Sequence, residues 1–239
     1  MRVQEKSIEY HTDYIISRCN RSATEKCFNI ASSESKKGSL LFICGTSSCG
    51  KTHLLNETAS IYRERFNKEA LSVSMQNLID DLVYAIKIES YDAFYEKYGS
   101  SKLLLIDDVY CVAGLPTVQE KLLHIFKELI RVGINIILFS EHKLSCYDEL
   151  NAGLIGEKFF SCEAIRSADA TLRKELLKQI LRKEGVKIST KVFYYIVFNR
   201  KIEISSIRGC VLKIRLMSKI EDKILTDKEI IGILKEYCN

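Results

Sequence analysis

Residues Gly45-Thr-Ser-Ser-Cys-Gly-Lys-Thr52 fit the pattern G-x-x-x-x-G-K-[ST]. No other stretch constrains the chain as tightly. The pattern needs a strand to deliver it and a helix to receive it, and both neighbours comply. Ser39-Leu-Leu-Phe-Ile-Cys44 is a short apolar run of buried-strand type, and Lys51 to Phe66 reads as a helix. A strand feeding a glycine-rich turn and then a helix N-terminus points backbone N–H groups at one spot, where the helix dipole adds partial positive charge. Such a spot takes phosphate. Gly45 and Gly50 permit torsions and a close approach that side chains would block. Thr46, Ser47, Ser48 and Cys49 complete the cradle, Lys51 reaches the β- and γ-phosphates, and the Thr52 hydroxyl sits on Mg²⁺. The competing reading, a strand–turn–helix that merely contains glycines, leaves the eight-residue pattern unexplained.

Lys102-Leu-Leu-Leu-Ile-Asp-Asp108 is the second landmark. Four apolar residues ending in an acidic pair describe a buried parallel strand whose C-terminal tip carries carboxylates. Following the loop by about 55 residues, the tip is expected beside it, with Asp107 orienting the Mg²⁺ hydration shell and Asp108 polarising an attacking water. Asn135-Ile-Ile-Leu-Phe-Ser140 is another such strand. Ser140 or Glu141 is then either a γ-phosphate sensor or an ordinary polar strand end, and the residues leave both open.

Leu71-Ser-Val-Ser74 and Lys158-Phe-Phe-Ser-Cys162 supply the remaining expected strands. Helical stretches intervene: Ser22 to Ala31, a run with Leu78, Ile79, Leu82, Val83 and Ile86 inward, Tyr91 to Tyr98 with Phe94 and Tyr95 inward, and Val118 to Arg131. This alternation predicts an α/β fold, a parallel sheet flanked by helices, over residues 1–164. Residues 165–239 read as a small helical domain. Thr171 to Glu184 ends at Gly185, a helix-closing glycine, and Val192 to Phe198 and Ser206 to Ile220 follow. Thr226-Asp-Lys-Glu229 has capping-box spacing before a last helix to about Tyr237.

The chain's 239 residues are 46% hydrophobic, enough for a sizeable core. Nine cysteines without a C-x-x-C pair point to a reducing compartment, and four histidines form no metal-ligand spacing. The N-terminus lacks the apolar core of a signal peptide and no run of about 18 apolar residues exists, so a cytoplasmic protein with no membrane partner is expected. The net charge of +5 permits nucleic acid without demanding it. The basic residues between Arg166 and Lys191 are either a solvated helix face or a DNA-facing patch.

Over nearly its whole length the chain resembles the DnaA/Hda family of AAA+ ATPases, the bacterial replication initiators and their shorter relatives. Tyr14-Ile-Ile-Ser-Arg-Cys-Asn20 resembles the family's F-V-x-G-x-x-N segment, which implies that Tyr14, Ile15 and Asn20 lie against the adenine. Gly50-Lys-Thr-His-Leu-Leu55 is the family's usual sequence there and brings His53 into the site. Ile106-Asp-Asp-Val-Tyr-Cys-Val-Ala-Gly114, with Gln119-Glu120 and His124-Ile-Phe126, is similar to I-D-D-I-Q-F-L-A-G…T-Q-E…H-x-F. Ser206-Ile-Arg208 resembles the N-V-R of the second-sensor helix, implying that Arg208 bonds the γ-phosphate from a helical lid; its planar fork suits that task. The resemblance implies a P-loop AAA+ core with a lid, ATP or ADP with Mg²⁺ as cofactors, and the replication initiator or the origin complex as partner. It further implies DNA contact and homo- or hetero-oligomers through AAA+ surfaces.

The departures narrow this expectation. The reading expects a chain without the initiator's C-terminal helix-turn-helix domain, and residues 1–13 show no sliding-clamp peptide. The arginine-finger segment R-L-x-S-R-F corresponds to Glu149-Leu-Asn-Ala-Gly-Leu154, with Gly153 at the finger position. Leu115-Pro116-Thr117 replaces a charged run that contributes to single-strand binding. Three functions compete: a regulatory ATPase of replication initiation with slow intrinsic hydrolysis, a single-strand-binding or helicase-loading module, and a scaffold that keeps ADP as a structural cofactor. For the second, Tyr84, Tyr91, Tyr95 and Tyr98 are either base-stacking aromatics or core.

Overall fold

The computed structural model describes residues 14–33, 37–220, 223 and 225–237. Residues 1–13, where the sequence shows no sliding-clamp peptide, and residues 34–36 lie outside the described residues. The elements run α1 (Arg21–Ser32), β1 (Leu40–Gly45), α2 (Lys51–Phe66), β2 (Leu71–Ser74), α3 (Met75–Lys87), α4 (Asp92–Gly99) and β3 (Leu103–Asp107). A 3₁₀ turn (Val109–Val112) leads to α5 (Pro116–Arg131), β4 (Asn135–Ser140), a second 3₁₀ turn (Leu144–Cys146), α6 (Asp148–Leu154) and β5 (Phe160–Ile165). Then come α7 (Ala170–Glu184), α8 (Thr190–Phe198), a third 3₁₀ turn (Ile204–Ser206), α9 (Ile207–Ile220) and α10 (Asp227–Tyr237).

The five strands form one sheet in the order β2-β3-β4-β1-β5. Pairing is parallel from Leu40↔Ile136 to Cys44↔Ser140, from Leu103↔Asn135 to Ile106↔Leu138, and from Leu71↔Leu104 to Ser74↔Asp107. At the other side of β1, the Leu40 N–H donates to the Phe159 carbonyl at 2.8 Å. Residues 40–44, 103–106 and 135–140 are buried at successive positions. Alternate side chains point to opposite faces, so the sheet is covered on both sides, which is why these strands read as unbroken apolar runs. Phe42, Leu104, Ile106, Phe126, Leu138 and Tyr147 anchor the core.

Three sequence expectations change. The last strand lies at Phe160–Ile165, not over Lys158–Cys162. It is the edge strand, and its half-buried, polar-interleaved residues carry no apolar run to mark its limits. On α3, Met75, Leu78, Leu82 and Ala85 are buried, whereas Val83 and Ile86 are 43% and 38% exposed. The helix turns its Ala85 side inward, a residue too small to weigh in a hydrophobic count. On α4, Phe94 and Tyr98 are buried rather than Phe94 and Tyr95. Tyr98 is drawn in because its hydroxyl donates to Asp81 at 2.7 Å, which lets a polar group enter the core satisfied. The finger-like segment forms a helix, α6, that packs on α5.

The chain divides into two compact units. One holds Tyr14, Ser22–Cys44 and Lys51–Ala164; the other holds Ile15–Arg21, Gly45–Gly50 and Ile165–Asn239. The apex of the phosphate loop thus groups with the helical part. That part has its own core of Leu177, Ile196, Ile202, Ile207, Cys210 and Leu234. Its helices are closed by local chemistry. Asp169 accepts from the Leu172 N–H at 2.7 Å, Gly185 adopts φ +65° after α7, and Ser189 caps α8. At α10, Glu229 accepts from the Thr226 N–H at 2.7 Å while the Thr226 hydroxyl accepts from the Glu229 N–H at 3.4 Å, the reciprocal capping box. Among the described residues no helix is long and apolar enough to cross a membrane.

Candidate functional site

The sheet order puts β4 between β1 and β3, so the carboxyl ends of these three strands lie side by side. The chain leaves β1 for the far edge at β2 and works back, and ligands of open α/β sheets lie outside the strand ends where that reversal occurs. In the first unit, α2 starts there at Lys51. The Thr52 hydroxyl donates to Asp107 Oδ2 at 2.9 Å, tying the first turn of α2 to the tip of β3. Asp107 Oδ1 accepts from the Asp108 N–H at 2.9 Å. Lys51 is 8% exposed, and its Nζ lies 3.9 Å from Glu141 Oε1, just past β4. Asp108 takes the left-handed conformation (φ +57°). Burial, and then the negative charges of Asp107 and Glu141, push its carboxyl above the usual carboxylate range against the pull of Lys51. A hydroxyl beside a carboxylate is the donor pair through which phosphate-loop proteins hold Mg²⁺, the rest of its shell coming from phosphate oxygens and water.

Ser140 and Glu141 part company here. Ser140 is fully buried, its Oγ hydrogen-bonded to the Tyr147 hydroxyl and accepting from the His142 N–H at 3.0 Å. It fixes the turn after β4, while Glu141 faces the lysine. Gln119 is likewise buried, donating to the Val112 carbonyl at 2.8 Å and accepting from the Glu149 N–H at 3.2 Å. It pins the turn that follows Asp108 to the start of α6. Tyr14 is buried, edge-on to His53 with ring centroids 5.0 Å apart, and His53 Nε2 lies 3.5 Å from Glu57 Oε1.

In the second unit, Asn20 shapes the segment it ends. Its Oδ1 accepts from the Ser17 N–H at 2.7 Å and its Nδ2 donates to the Ile15 carbonyl at 2.9 Å. The loop turns through Ser48 (φ +60°) and Gly50 (φ +99°). Gly45 is needed for room: a Cβ there would lie 2.6 Å from Cys49 Sγ and 2.9 Å from the Ile165 carbonyl. A cavity of about 700 Å³ adjoins the loop, lined by Thr46 to Cys49 together with Arg173, Phe198 and Glu203. Arg173 donates to the carbonyls of Val197 (2.6 Å), Ile196 (2.9 Å) and Asn199 (3.1 Å), closing the end of α8. The Ser48 hydroxyl donates to Glu203 Oε2 at 3.0 Å. Arg208, 70% exposed, donates to Glu184 Oε1 at 3.2 Å, and Arg215 holds the other oxygen of Glu184 at 2.9 Å. Glu203, Glu184 and Tyr147 escaped the sequence reading. Each is a single polar or aromatic residue, significant only through its partner in space.

A sequence model described as the bacterial DnaA ATPase domain matches residues 6–159. The chromosomal replication initiator protein DnaA of Wolinella succinogenes is 27% identical over 224 residues, covering 93% of this chain and 51% of that protein. The chain spans about half the length of the curated relatives it matches. Domain III of the Thermotoga maritima replication initiation protein DnaA superposes with a TM-score of 0.80 at 25% identity, covering 95% of each chain. A replication initiator DnaA bound to AMPPCP and single-stranded DNA superposes with a TM-score of 0.70 at 25% identity, covering 88% of this chain and 66% of that one.

Proposed function

The chain belongs to the bacterial DnaA ATPase-domain family, and from that premise we propose that it binds ATP or ADP with Mg²⁺ and acts in the regulation of replication initiation. The observation that carries the nucleotide reading is the Thr52–Asp107 bond at the foot of α2, beside Lys51. Lys51 would hold the β- and γ-phosphates, Thr52 and Asp107 would hold Mg²⁺, and the loop N–H groups would cradle the phosphates. Bound Mg²⁺ neutralises charge on the phosphate oxygens. Asp108 and Glu141 orient water near the terminal phosphate, and Arg208 exchanges Glu184 for that phosphate. Tyr14, Ile15, Asn20 and His53 bound the base. The relative that carries AMPPCP supports an adenine nucleotide. Thermal unfolding with and without Mg-ATP or Mg-ADP tests the site: ligand raises the midpoint, and Lys51→Ala removes the rise. A rise that survives this substitution sinks the assignment.

Hydrolysis is slow and serves no neighbour, because Gly153 stands where the family places its arginine finger. An arginine supplied in trans is worth about 10³–10⁵ in rate. Mixing the chain with an initiator loaded with ATP and following phosphate release should leave the initiator's rate unchanged.

A second reading, single-strand binding, draws support from the DNA-bound relative and from Tyr84 and Tyr91, which are 64% and 40% exposed. Titration of a labelled oligonucleotide at two salt concentrations decides it. Nucleotide-dependent binding that weakens with salt supports this reading, and no binding at low salt removes it.

A further inference from the structure

Glu203 sits where a phosphate-binding loop least favours a carboxylate. Its Oε2 accepts from the Ser48 hydroxyl at 3.0 Å and from the Ser205 hydroxyl at 3.4 Å, so one oxygen is held from the loop on one side and from its own turn on the other. Ser48 is the loop residue in the left-handed conformation, and Gly50 follows with positive φ. Residues with such torsions turn successive N–H groups toward a concave, anion-seeking surface. Glu203 lines the same cavity as Thr46, Ser47, Ser48 and Cys49. Its backbone is extended (φ −64°, ψ 155°) just before the 3₁₀ turn Ile204–Ser206, so the side chain can swing away without unwinding a helix.

We propose that Glu203 is an internal competitor for the phosphate loop, a carboxylate latched on Ser48 that must leave when the phosphates of a nucleotide arrive. The inference rests on the nucleotide-binding reading and adds to it a residue that sets affinity. An anion already on the loop satisfies part of the field that phosphate would otherwise meet, and its charge opposes the approach of another. Two like charges about 6 Å apart in a partly exposed setting repel enough to change a binding constant about threefold to tenfold. The effect shrinks as salt screens it. Glu203 thereby keeps affinity low, and whatever draws the carboxylate off Ser48 raises it.

Calorimetric titration of the full chain with Mg-ADP tests this, using wild type, Glu203→Gln, Ser48→Ala, the double variant and Lys51→Ala. Circular dichroism melts confirm that each is folded. Glu203→Gln keeps an acceptor for Ser48 and removes the charge. It should bind Mg-ADP about threefold to tenfold more tightly at low salt, with the gap closing at high salt. Ser48→Ala should tighten binding less, and the double variant no more than Glu203→Gln alone. Equal or weaker binding by Glu203→Gln, with Lys51→Ala still abolishing binding, overturns the competitor and leaves the nucleotide site standing; a weakened variant would mean that the carboxylate helps hold the ligand or its Mg²⁺. Absence of Mg-ADP binding in both wild type and Glu203→Gln overturns the two readings together.

Discussion

Gly45 shows how a motif position acquires a physical meaning. The pattern demands glycine; the structure supplies the reason, because Cys49 Sγ and the Ile165 carbonyl fill the space a Cβ would take. Gly45→Ala should therefore force the loop to shift, costing about 1–3 kcal/mol as overpacking does and weakening nucleotide binding beyond that loss. Chemical denaturation and Mg-ADP titration on the same variant separate the two effects. Ser140 gives a second case. Its hydroxyl and that of Tyr147 form a buried pair, and burial pushes the Tyr147 hydroxyl up to about 12. Tyr147→Phe should cost about 1–3 kcal/mol by leaving Ser140 short of a partner, with little change in the aromatic packing against Phe42. Loss of stability without loss of nucleotide affinity would mark Ser140 as structural.

Helices α6 and α10 carry the consequences at the next scale. On α6, Gly153 lies against α5 so closely that a Cβ would fall 2.1 Å from Leu123 Cδ2. Restoring the family's arginine by Gly153→Arg would have to displace Leu123 before any guanidinium reached a neighbour. The expected result is a modest loss in an unfolding titration, since the atom in the way is the far end of a leucine side chain. On α10, Glu229 is held down to about 2 by the Lys223 ammonium first, and then by the Thr226 N–H and hydroxyl. Its ordinary value is 4.5, so the capping box contributes fully above that pH and is lost as pH falls toward 2. Amide chemical shifts along α10 should titrate in that acid window in wild type and stay flat in Glu229→Gln.

For the molecule as a whole, ligand linkage is the integrating prediction. A site that binds only the folded chain stabilises it by about 2.7 kcal/mol at a ligand concentration of one hundred times Kd. Lys51, Thr52 and Asp107 stand in the unit that holds the sheet. Mg-ADP should accordingly raise the melting midpoint of the sheet. Site-specific hydrogen exchange on Leu104 and Leu138 in the sheet, and on Ile196 and Ile207 in the helices, reads the two separately. Unchanged protection of Leu104 and Leu138 would remove Lys51, Thr52 and Asp107 from the site.

The alternation of apolar runs with helical periodicity sufficed to name the α/β sheet, and Gly45–Thr52 with Asp107 and Asp108 pointed to its candidate site, where Thr52 bonds Asp107. These signals are legible because each is local: a strand buried on both faces must be apolar throughout, and a phosphate loop must supply its glycines, lysine and hydroxyl within eight residues. Helix ends were equally readable at Gly185 and Thr226, where caps bond within a turn. The edge strand β5, the inward turn of Ala85 and the helix at Gly153 were not, because edge pairing and helix facing depend on what packs alongside. The same holds for the carboxylates. Ser48 and Glu203 are 155 positions apart, and Glu184 precedes Arg208 by 24. No spacing rule joins such residues; folding brings them within 3.2 Å.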